Sequence, residues 1–297
     1  MAKLIVLQHQ QPQRTNHGSE DFFDFTKATL DQFNQIFIPA SYKVIKKKSP
    51  YIRAYNPSNV NLSPAGLQLT CSTSTDGTTV PSAGIFTRSR NFFYGSYRAE
   101  YHISKEPGTV AGFFHYKNDT SEIDVEYISA NSGTSSPPPA LQYSVKPQQY
   151  LFNGAASKTT MALHSLNKAN TNDGNPGVPS DWSFVWTPDA VHYGPQNASV
   201  ITTNVPQAPG RIMLNHWSDG DAKFSKGPPE RDSVVTVKFL QAVYNDTEVG
   251  EALVCQTMQT ACLVEDGVVR GQFARDGGGW GLLSLGLVAR FFWSRGL

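Results

Sequence analysis

Three carboxylates occupy alternate positions in the segment "SEIDVEYIS": Glu122, Asp124 and Glu126. The positions between and after them hold Ile123, Val125 and Tyr127. Apolar and polar residues alternating at period 2 predict a β-strand, which sends successive side chains to opposite faces. We therefore expect the apolar residues to enter a core and the three acids to share the other face. Because like charges on one face repel one another, a functional row is favoured over a solvated surface.

Two kinds of chemistry could use such a row. Calcium sites use carboxylates, but they usually draw their ligands from a loop. In retaining glycoside hydrolysis one carboxylate attacks and another protonates the leaving oxygen, with the two groups about 5–5.5 Å apart. Positions i and i+4 of a strand are roughly 13 Å apart at Cα, and two Glu side chains leaning together across a concave sheet can close most of that gap. Asp124 between them would couple their titrations, so that one acid stays protonated while another is ionised.

The rest of the sequence predicts the elements that would hold this row. Short apolar runs alternate with polar clusters rich in Gly and Pro, and no long amphipathic helix interrupts them. The predicted strands are IRAYN, GLQLTCS, AGIFTRS, SYRAEYHIS, VAGFFHYK, EIDVEYIS, ALQYSV, WSFVWTP, RIMLNHW and VVTVKFLQAVY, and DFFDFTKATLDQF is either a short helix or an entry strand. The predicted fold is all-β, with two packed antiparallel sheets and short peripheral helices or turns.

Composition narrows the class of protein. The 297 residues include 25 Lys and Arg against 24 Asp and Glu, so no charge bias points to nucleic acid or to a membrane surface. Three cysteines allow at most one disulfide; Cys255 and Cys262 could close a local loop, whereas Cys71 has no evident partner. There is no metal-binding His or Cys spacing, no phosphate loop and no nucleophile elbow. We expect no required cofactor and no metal site, with a structural calcium ion left open.

At several points the sequence resembles glycoside hydrolase family 16, which includes laminarinases, lichenases and Crh-type enzymes. "SEIDVEY" is similar to the glutamate–aspartate–glutamate signature of the family, and "FFYGSYRAEYHIS", "GTVAGFFHYKND", "DWSFVWTPDAVHY", "PGRIMLNHWSDGD" and "VVTVKFLQAVY" resemble its other segments in order over roughly residues 50–245. The resemblance implies a concanavalin A-like β-jelly-roll sandwich. It implies that Glu122 is the nucleophile, that Glu126 is the general acid/base and that Asp124 tunes Glu122. The sequence departs from the family at Ser121, Val185 and Ser144, which puts substrate specificity in question.

Supporting residues follow from the same resemblance and from the chemistry of sugar clefts, where aromatic faces and a few polar groups contact the sugar rings. The predicted substrate-binding residues are Trp217, Asn215, Tyr94, Arg88 and Gln142. Trp182 and Trp186 share strand parity, so one or both are predicted to lie in the core. His115, close to the acids in the sequence, is either a residue of the site or a bystander on the strand face.

The chain divides into three predicted regions: a loose arm at residues 1–20, a sandwich domain at 21–245 and a tail at 246–297. The tail is expected either to be disordered or to be a weak apolar anchor. Asn61, Asn118, Asn197 and Asn245 begin N-x-S/T triplets, which favour secretion. The first residues carry an apolar run too short for a signal peptide, so we expect this N-terminus to be incomplete and the protein to be extracellular or in a cell wall.

The leading hypothesis is a monomeric, retaining endo-acting hydrolase of β-glucan-type polysaccharides. A transglycosylase that passes the glycosyl group to another glucan or chitin chain would use the same carboxylates. A sugar-binding module without catalysis is the alternative from another class of protein, and a broken acid row would favour it.

Overall fold

The structure is a computed structural model, and it describes residues 19–104, 106–129, 140–146, 161–165, 179–194, 200–202, 205–246 and four short stretches between 263 and 282. In chain order the strands are β1 (Ser19–Asp24), β2 (Phe37–Pro39), β3 (Tyr42–Val44), β4 (Ile52–Tyr55), β5 (Val60–Ser63), β6 (Gly66–Cys71), β7 (Thr79–Thr87), β8 (Phe92–His102), β9 (Val110–Asn118), β10 (Ser121–Ile128), β11 (Ala140–Lys146), β12 (Met161–Ser165), β13 (Pro179–Trp186), β14 (Val191–Tyr193), β15 (Val200–Thr202), β16 (Arg211–Trp217), β17 (Ser233–Asp246), β18 (Leu263–Glu265), β19 (Val268–Arg270), β20 (Gln272–Arg275) and β21 (Gly279–Leu282). One α-helix, α1 (Leu30–Ile36), and a 3₁₀ turn at Pro57–Asn59 complete the described elements.

Two large sheets form the described architecture. The nine-stranded sheet, called the acid sheet below, has the order β12-β11-β10-β9-β16-β7-β4-β3, with β2 beside β7. The eight-stranded back sheet has the order β15-β14-β13-β8-β17-β6-β5, with β1 beside β17. Among the pairs described, β4 with β7 is parallel and the rest are antiparallel. The predicted all-β sandwich is confirmed, and all ten predicted strands lie in it.

The core lies between the two sheets and is rich in aromatic side chains. Tyr101 of the back sheet stacks on Trp182 with ring centroids 3.9 Å apart, and Phe113 of the acid sheet packs against Phe184 at 5.3 Å. In β8 and the residue after it, Tyr97, Ala99, Tyr101 and Ile103 are buried while Arg98, Glu100 and His102 are partly exposed, as their alternation predicts. Trp182 and Trp186 are each 1% exposed, so their prediction as core residues is confirmed.

The segment DFFDFTKATLDQF contains both of the elements considered for it. Its first part is β1, and its second part begins α1. The helix starts with a capping box: the Thr29 hydroxyl accepts a hydrogen bond from the Gln32 backbone N–H at 3.2 Å, and the Gln32 side chain accepts one from the Thr29 backbone N–H at 2.9 Å. This cap fixes where the chain turns from the back sheet towards the acid sheet.

The predicted terminal regions lie largely outside the described residues. Of the predicted arm, only Ser19 and Glu20 are described, and they begin β1. Of the predicted tail, Asp246 ends β17, and four short strands form two hairpins, β18 with β19 and β20 with β21. Among the residues that the structure describes, no helix is long and apolar enough to cross a membrane. Cys71 is a free, buried thiol, while Cys255 and Cys262 lie outside the described residues.

Candidate active site

The three acids lie on β10, and the faces of this strand are as predicted. Ile123 and Val125 are fully buried and Tyr127 is 3% exposed, all three in the core between the sheets. Glu122, Asp124 and Glu126 therefore point to the opposite side of the acid sheet, away from the back sheet. The neighbours of each acid on this face follow from the register of the flanking strands, β9 and β11.

Glu126 lies in a cross-strand row that contains two of the predicted substrate-binding residues. On one side it pairs with Gln142 of β11, and on the other with Gly112 of β9, which in turn pairs with Asn215 of β16. Asn215 also pairs with Gly84 of β7. The row thus carries a carboxyl between two amides, with a glycine separating Glu126 from Asn215. Gln142 is 5% exposed, so most of its amide is already enclosed.

Gly112 makes room for the Asn215 side chain. A Cβ placed on Gly112 would lie 2.6 Å from Asn215 Oδ1, closer than such atoms approach in proteins. This carbonyl oxygen is buried and accepts no hydrogen bond from the part of the chain that the structure describes. Buried polar groups without a partner are rare, and this acceptor lies two strands from Glu126 on the same face of the acid sheet.

Glu122 has a cation as its direct partner. Lys146, the last residue of β11, lies opposite Glu122 in the hairpin register, and its ammonium donates a hydrogen bond to Glu122 Oε2 within a salt bridge. The two side chains are 19% and 12% exposed, so the pair is largely enclosed. On the other side, Glu122 pairs with Tyr116 of β9. A largely enclosed ion pair is screened by salt far less than one at the surface.

Asp124 is the most enclosed of the three acids, with 6% of its surface exposed. The Ser144 hydroxyl, directly opposite on β11, donates a hydrogen bond to Asp124 Oδ2 at 2.8 Å. Burial, followed by the charges of Glu122 and Glu126, raises the pKa of Asp124 well above its usual value. Ser144, where the resemblance led us to expect Asn, therefore still contacts the central acid, and the raised pKa of Asp124 favours its protonated form.

Glu126 is the acid of the row whose pKa lies near neutral pH. Burial and then the charge of Glu122 raise its pKa from 4.5 to about 7, while Lys146, Arg53 and Lys46 act in the opposite direction. A group with this pKa can give up a proton and take one back near pH 7. Two glutamates of one strand thus differ in state: Glu122 is ion-paired, and Glu126 exchanges a proton.

Trp217 lies on the same face of the acid sheet but is not open to solvent. It is 3% exposed and belongs to a second apolar cluster with Ala40, Tyr55 and Val110, called the rim cluster below. The Arg53 guanidinium lies 4.0 Å over its ring. The Phe224 ring stacks on it as well, at 6.0 Å. The sequence predicted a sugar-facing tryptophan; in this structure its ring packs against protein groups instead.

Tyr94 and Arg88 are not brought to the acid row. Tyr94 is buried in β8 of the back sheet, where it stacks on Phe93 and its hydroxyl donates to Gln207. Arg88 follows β7, three strands from β10, and its Nε donates to the Asn34 carbonyl at 2.7 Å near the end of α1. Both have structural contacts that account for their positions, and their predicted role in substrate binding finds no support in this placement.

Sequence reasoning missed four residues of this face: Gly112, Lys146, Arg53 and Lys46. A glycine inside the strand pattern VAGFFHYK was a usable signal, because such a glycine often marks a close approach. The three cations had no comparable signal, since Lys146 meets the acids only through the register of the next strand, and Arg53 and Lys46 come from the β3–β4 region, far from β10 in the sequence. Among the described residues, no group of three or more His, Cys, Asp or Glu side chains is arranged to hold a metal ion.

Comparison with known proteins identifies the family of this chain. Residues 47–237 match the sequence profile of "Glycosyl hydrolases family 16". The Beta-glucanase of Bacillus amyloliquefaciens is 26% identical over 136 residues, which cover 43% of this chain and about half (49%) of that protein. Crh-like protein 3 of Botryotinia fuckeliana is 23% identical over 172 residues, covering 54% of this chain and 34% of that protein.

Among solved structures, the fold is similar to that of the Bacillus licheniformis beta-glucanase, with a TM-score of 0.55 and 17% identity, over 75% of this chain and 97% of that one. At this identity the likeness concerns the fold alone. The profile match covers well over half of the 297 residues and includes the whole acid row. The chain belongs to glycosyl hydrolase family 16.

Proposed function

We propose that this protein cleaves β-glucan chains internally by a retaining, double-displacement mechanism. The observation that carries the proposal is the unequal state of two glutamates on one strand face. Glu122 is ion-paired with Lys146, whereas the pKa of Glu126 is raised to about 7. A nucleophile must be ionised and a general acid must hold a proton, and this face supplies one of each.

The reaction follows from these positions. Glu122 attacks the anomeric carbon while Glu126 protonates the leaving glycosidic oxygen, which gives a glycosyl ester of Glu122. Glu126, now a carboxylate, removes a proton from water, and the water oxygen displaces Glu122 from the anomeric carbon. Two inversions return the β-configuration. Asp124, which holds a proton between the two glutamates, lowers the repulsion along the row.

Polar groups beside Glu126 would hold the sugar. The unpartnered Asn215 Oδ1 and the Gln142 amide flank the general acid in one cross-strand row. The names of the relatives suggest the substrate class, since several are beta-glucanases.

We also propose that the protein acts outside the cell or in a cell wall. Of its sequons, Asn61 and Asn118 are exposed, but Asn245 is 7% exposed in β17 and is not accessible for a glycan.

A transglycosylase is the second candidate, because a Crh-like protein is among the relatives. It would share the first half-reaction and differ in the second, where a sugar hydroxyl instead of water attacks the glycosyl ester. The acid row serves both outcomes equally. The identity of the acceptor therefore has to come from the products.

The experiment is incubation of the purified protein with laminarin, lichenan and chitin oligosaccharides, followed by sizing of the products and NMR of the first anomer formed. We expect shortened β-glucan chains and an initial β-anomer from the wild type, and none from Glu122→Gln. Products longer than the substrate would indicate transglycosylation. An initial α-anomer would contradict retention, and binding without any product would favour a sugar-binding module.

A further inference from the structure

We propose that Lys146 is a positioning residue of the acid row: it holds Glu122 in the attacking state and keeps Glu126 ionised once the glycosyl ester has formed. The proposal rests on the function proposed above and adds a residue that the sequence did not point to. Lys146 does not need to touch the substrate for this role. It acts through the charges of the two glutamates.

The fold fixes the position of Lys146. It lies directly across from Glu122 in the β10–β11 hairpin, in the same relation as Ser144 to Asp124 and Gln142 to Glu126. β11 thus faces the three acids with an ammonium, a hydroxyl and an amide. Of these three groups, only the ammonium carries a charge, and it is placed at the predicted nucleophile. Directly opposed side chains of neighbouring strands are the closest cross-strand contacts in a sheet.

Enclosure gives this ion pair more effect than a surface pair would have. Exposed salt bridges are screened and contribute little. Lys146 and Glu122 are 19% and 12% exposed. The ammonium therefore holds the Glu122 side chain in a fixed ion pair within the enclosed row, beside the two other acids.

Other titratable and charged groups also surround Glu122. The contacts of the other cations distinguish their effect on the acid row from that of Lys146. The acidic and phenolic groups are Asp124 and Glu126 on β10, Tyr116 on β9, Tyr42 on β3 and Tyr193 on β14. The cations are Lys146, Arg53, Lys46 and, one strand beyond Tyr116, Arg211. Arg53 lies 3.9 Å from Asp219 and over Trp217, and Arg211 lies over Phe86. Lys146 is the one of these cations that is salt-bridged to an acid of the row.

The charge balance of the reaction gives Lys146 its second role. In the first step a Glu122 oxygen bonds to the anomeric carbon, the bond to the leaving oxygen breaks, and the Glu126 proton passes to that oxygen. Glu122 becomes a neutral ester, so its ion pair with the ammonium is lost just as Glu126 becomes a carboxylate. The positive charge now favours the ionised form of Glu126, which must remove a proton from water. When the ester bond breaks, Glu122 regains its charge and its ion pair.

The test compares Lys146→Met with Lys146→Arg, using Lys27→Met as the matched control. Lys27 also forms a salt bridge, with Asp24 at 2.8 Å, but it is 55% exposed and far from the row. The readouts are the pH profile of kcat/KM on an aryl β-glucan oligosaccharide and ¹³C NMR titration of the glutamate carboxyls. Urea unfolding checks that each variant folds, and Lys146→Gln replaces Lys146→Met if the latter does not.

We expect Lys146→Met to move the upper limb of the pH profile, which reflects Glu126, to higher pH by about one unit, because the Glu126 carboxyl binds its proton more tightly without the ammonium. Lys146→Arg and Lys27→Met should keep the wild-type profile. In the NMR titration, the Glu126 midpoint should rise in Lys146→Met alone. The NMR titration does not require enzymatic activity, so it tests the role of Lys146 independently of the proposed function. A protein that cleaves no glycan refutes the proposed function, while an unchanged Glu126 midpoint or pH profile in Lys146→Met overturns the role of Lys146.

Discussion

The two ends of the acid row are built differently around the same side chain. At the Glu122 end, a lysine of the neighbouring strand forms a salt bridge with the carboxylate. At the Glu126 end, the neighbours in the row are a glycine and two amides, with the rim cluster nearby and the cations at longer range. Two glutamates four residues apart thus have different surroundings on one strand face. The flanking strands, and not β10 itself, supply this difference.

The largest expected effect distinguishes the two ends directly. Glu122→Gln removes the attacking group and should lower hydrolysis by at least about 10³-fold, with no rescue by azide. Glu126→Ala leaves the attack possible on a substrate with a good leaving group, and the glycosyl ester should then accumulate because no base activates water. Azide needs no base, so it should restore turnover in this variant and give a β-glycosyl azide.

Mass spectrometry of the intact protein and NMR of the azide product provide the measurements. The hydrolytic activity of Asp124→Asn should be intermediate between those of the two glutamate variants, because this substitution changes the charge of the row without removing a group that makes a bond. Rescue of Glu122→Gln with a β-azide product, and none of Glu126→Ala, would reverse the two roles. Full activity in both variants would leave no catalytic function for the row.

A smaller effect is expected in the pH dependence of stability. The pKa of Glu126 is raised from 4.5 to about 7 in the folded protein, so the folded state binds this proton more tightly than the unfolded chain does. The resulting stabilisation is complete below about pH 4.5 and is lost as the pH rises through 7. Asp124 acts in the same direction. We expect the free energy of unfolding to fall by about 2 kcal/mol over this range.

Urea denaturation at a series of pH values measures this change. Glu126→Gln should flatten the curve between pH 5 and 7.5, whereas Glu230→Gln, at an exposed loop position, should leave it as in the wild type. A curve that rises with pH in the wild type, or one that Glu126→Gln does not alter, would contradict the protonation state given to Glu126.

The smallest effect concerns the glycine beside Glu126. Gly112→Ala places a methyl group 2.6 Å from Asn215 Oδ1, so the amide has to shift away from the general acid. If this oxygen accepts a sugar hydroxyl, KM should rise by about tenfold, the cost of roughly one hydrogen bond, with a smaller change in kcat. The measurement is steady-state kinetics on a soluble β-glucan oligosaccharide.

Gly84→Ala is the matched control for this variant. Gly84 flanks Asn215 on the other side in the same row, but its added methyl would meet the Tyr55 ring at 3.2 Å and Ala40 at 3.4 Å, in the rim cluster. It should change KM less than Gly112→Ala does. Equal effects from the two variants would mean that the row is only a packing surface, and no effect from either would exclude Asn215 from binding.

The fold and the acid row could be predicted from the sequence because both depend on local patterns of apolar and polar residues. Period-2 alternation assigns each side chain of a strand to a face, so Ile123 and Val125 in the core and the acids on the other side follow from nine residues. The resemblance to family 16 then supplied the roles. The short strands β2, β3, β5, β12, β14 and β15 were not predicted, since three to five residues carry too little pattern to separate a strand from a loop.

The surroundings of the acids could not be predicted, because they depend on register. Lys146 lies opposite Glu122 only in one register of β11 against β10. The eleven residues between Ile128 and Ala140 do not determine that register in the sequence. Arg53 reaches Trp217 across 164 positions of sequence. The prediction for Trp217 placed it on the correct face, but the packing of Arg53 and Phe224 around the ring decides whether a sugar can reach it.

The position of β17 has a consequence for the order in which the chain can fold as it is synthesised. This strand, residues 233–246, lies between β8 and β6 in the back sheet and also pairs with β1, the first strand described. Until it leaves the ribosome, β8, β13 and β14 have no connection to β5 and β6, and β1 has no partner. The acid row already has its β9 and β11 neighbours by then. The nascent chain therefore holds β10 on an open sheet, in need of protection from aggregation, until β17 has been made.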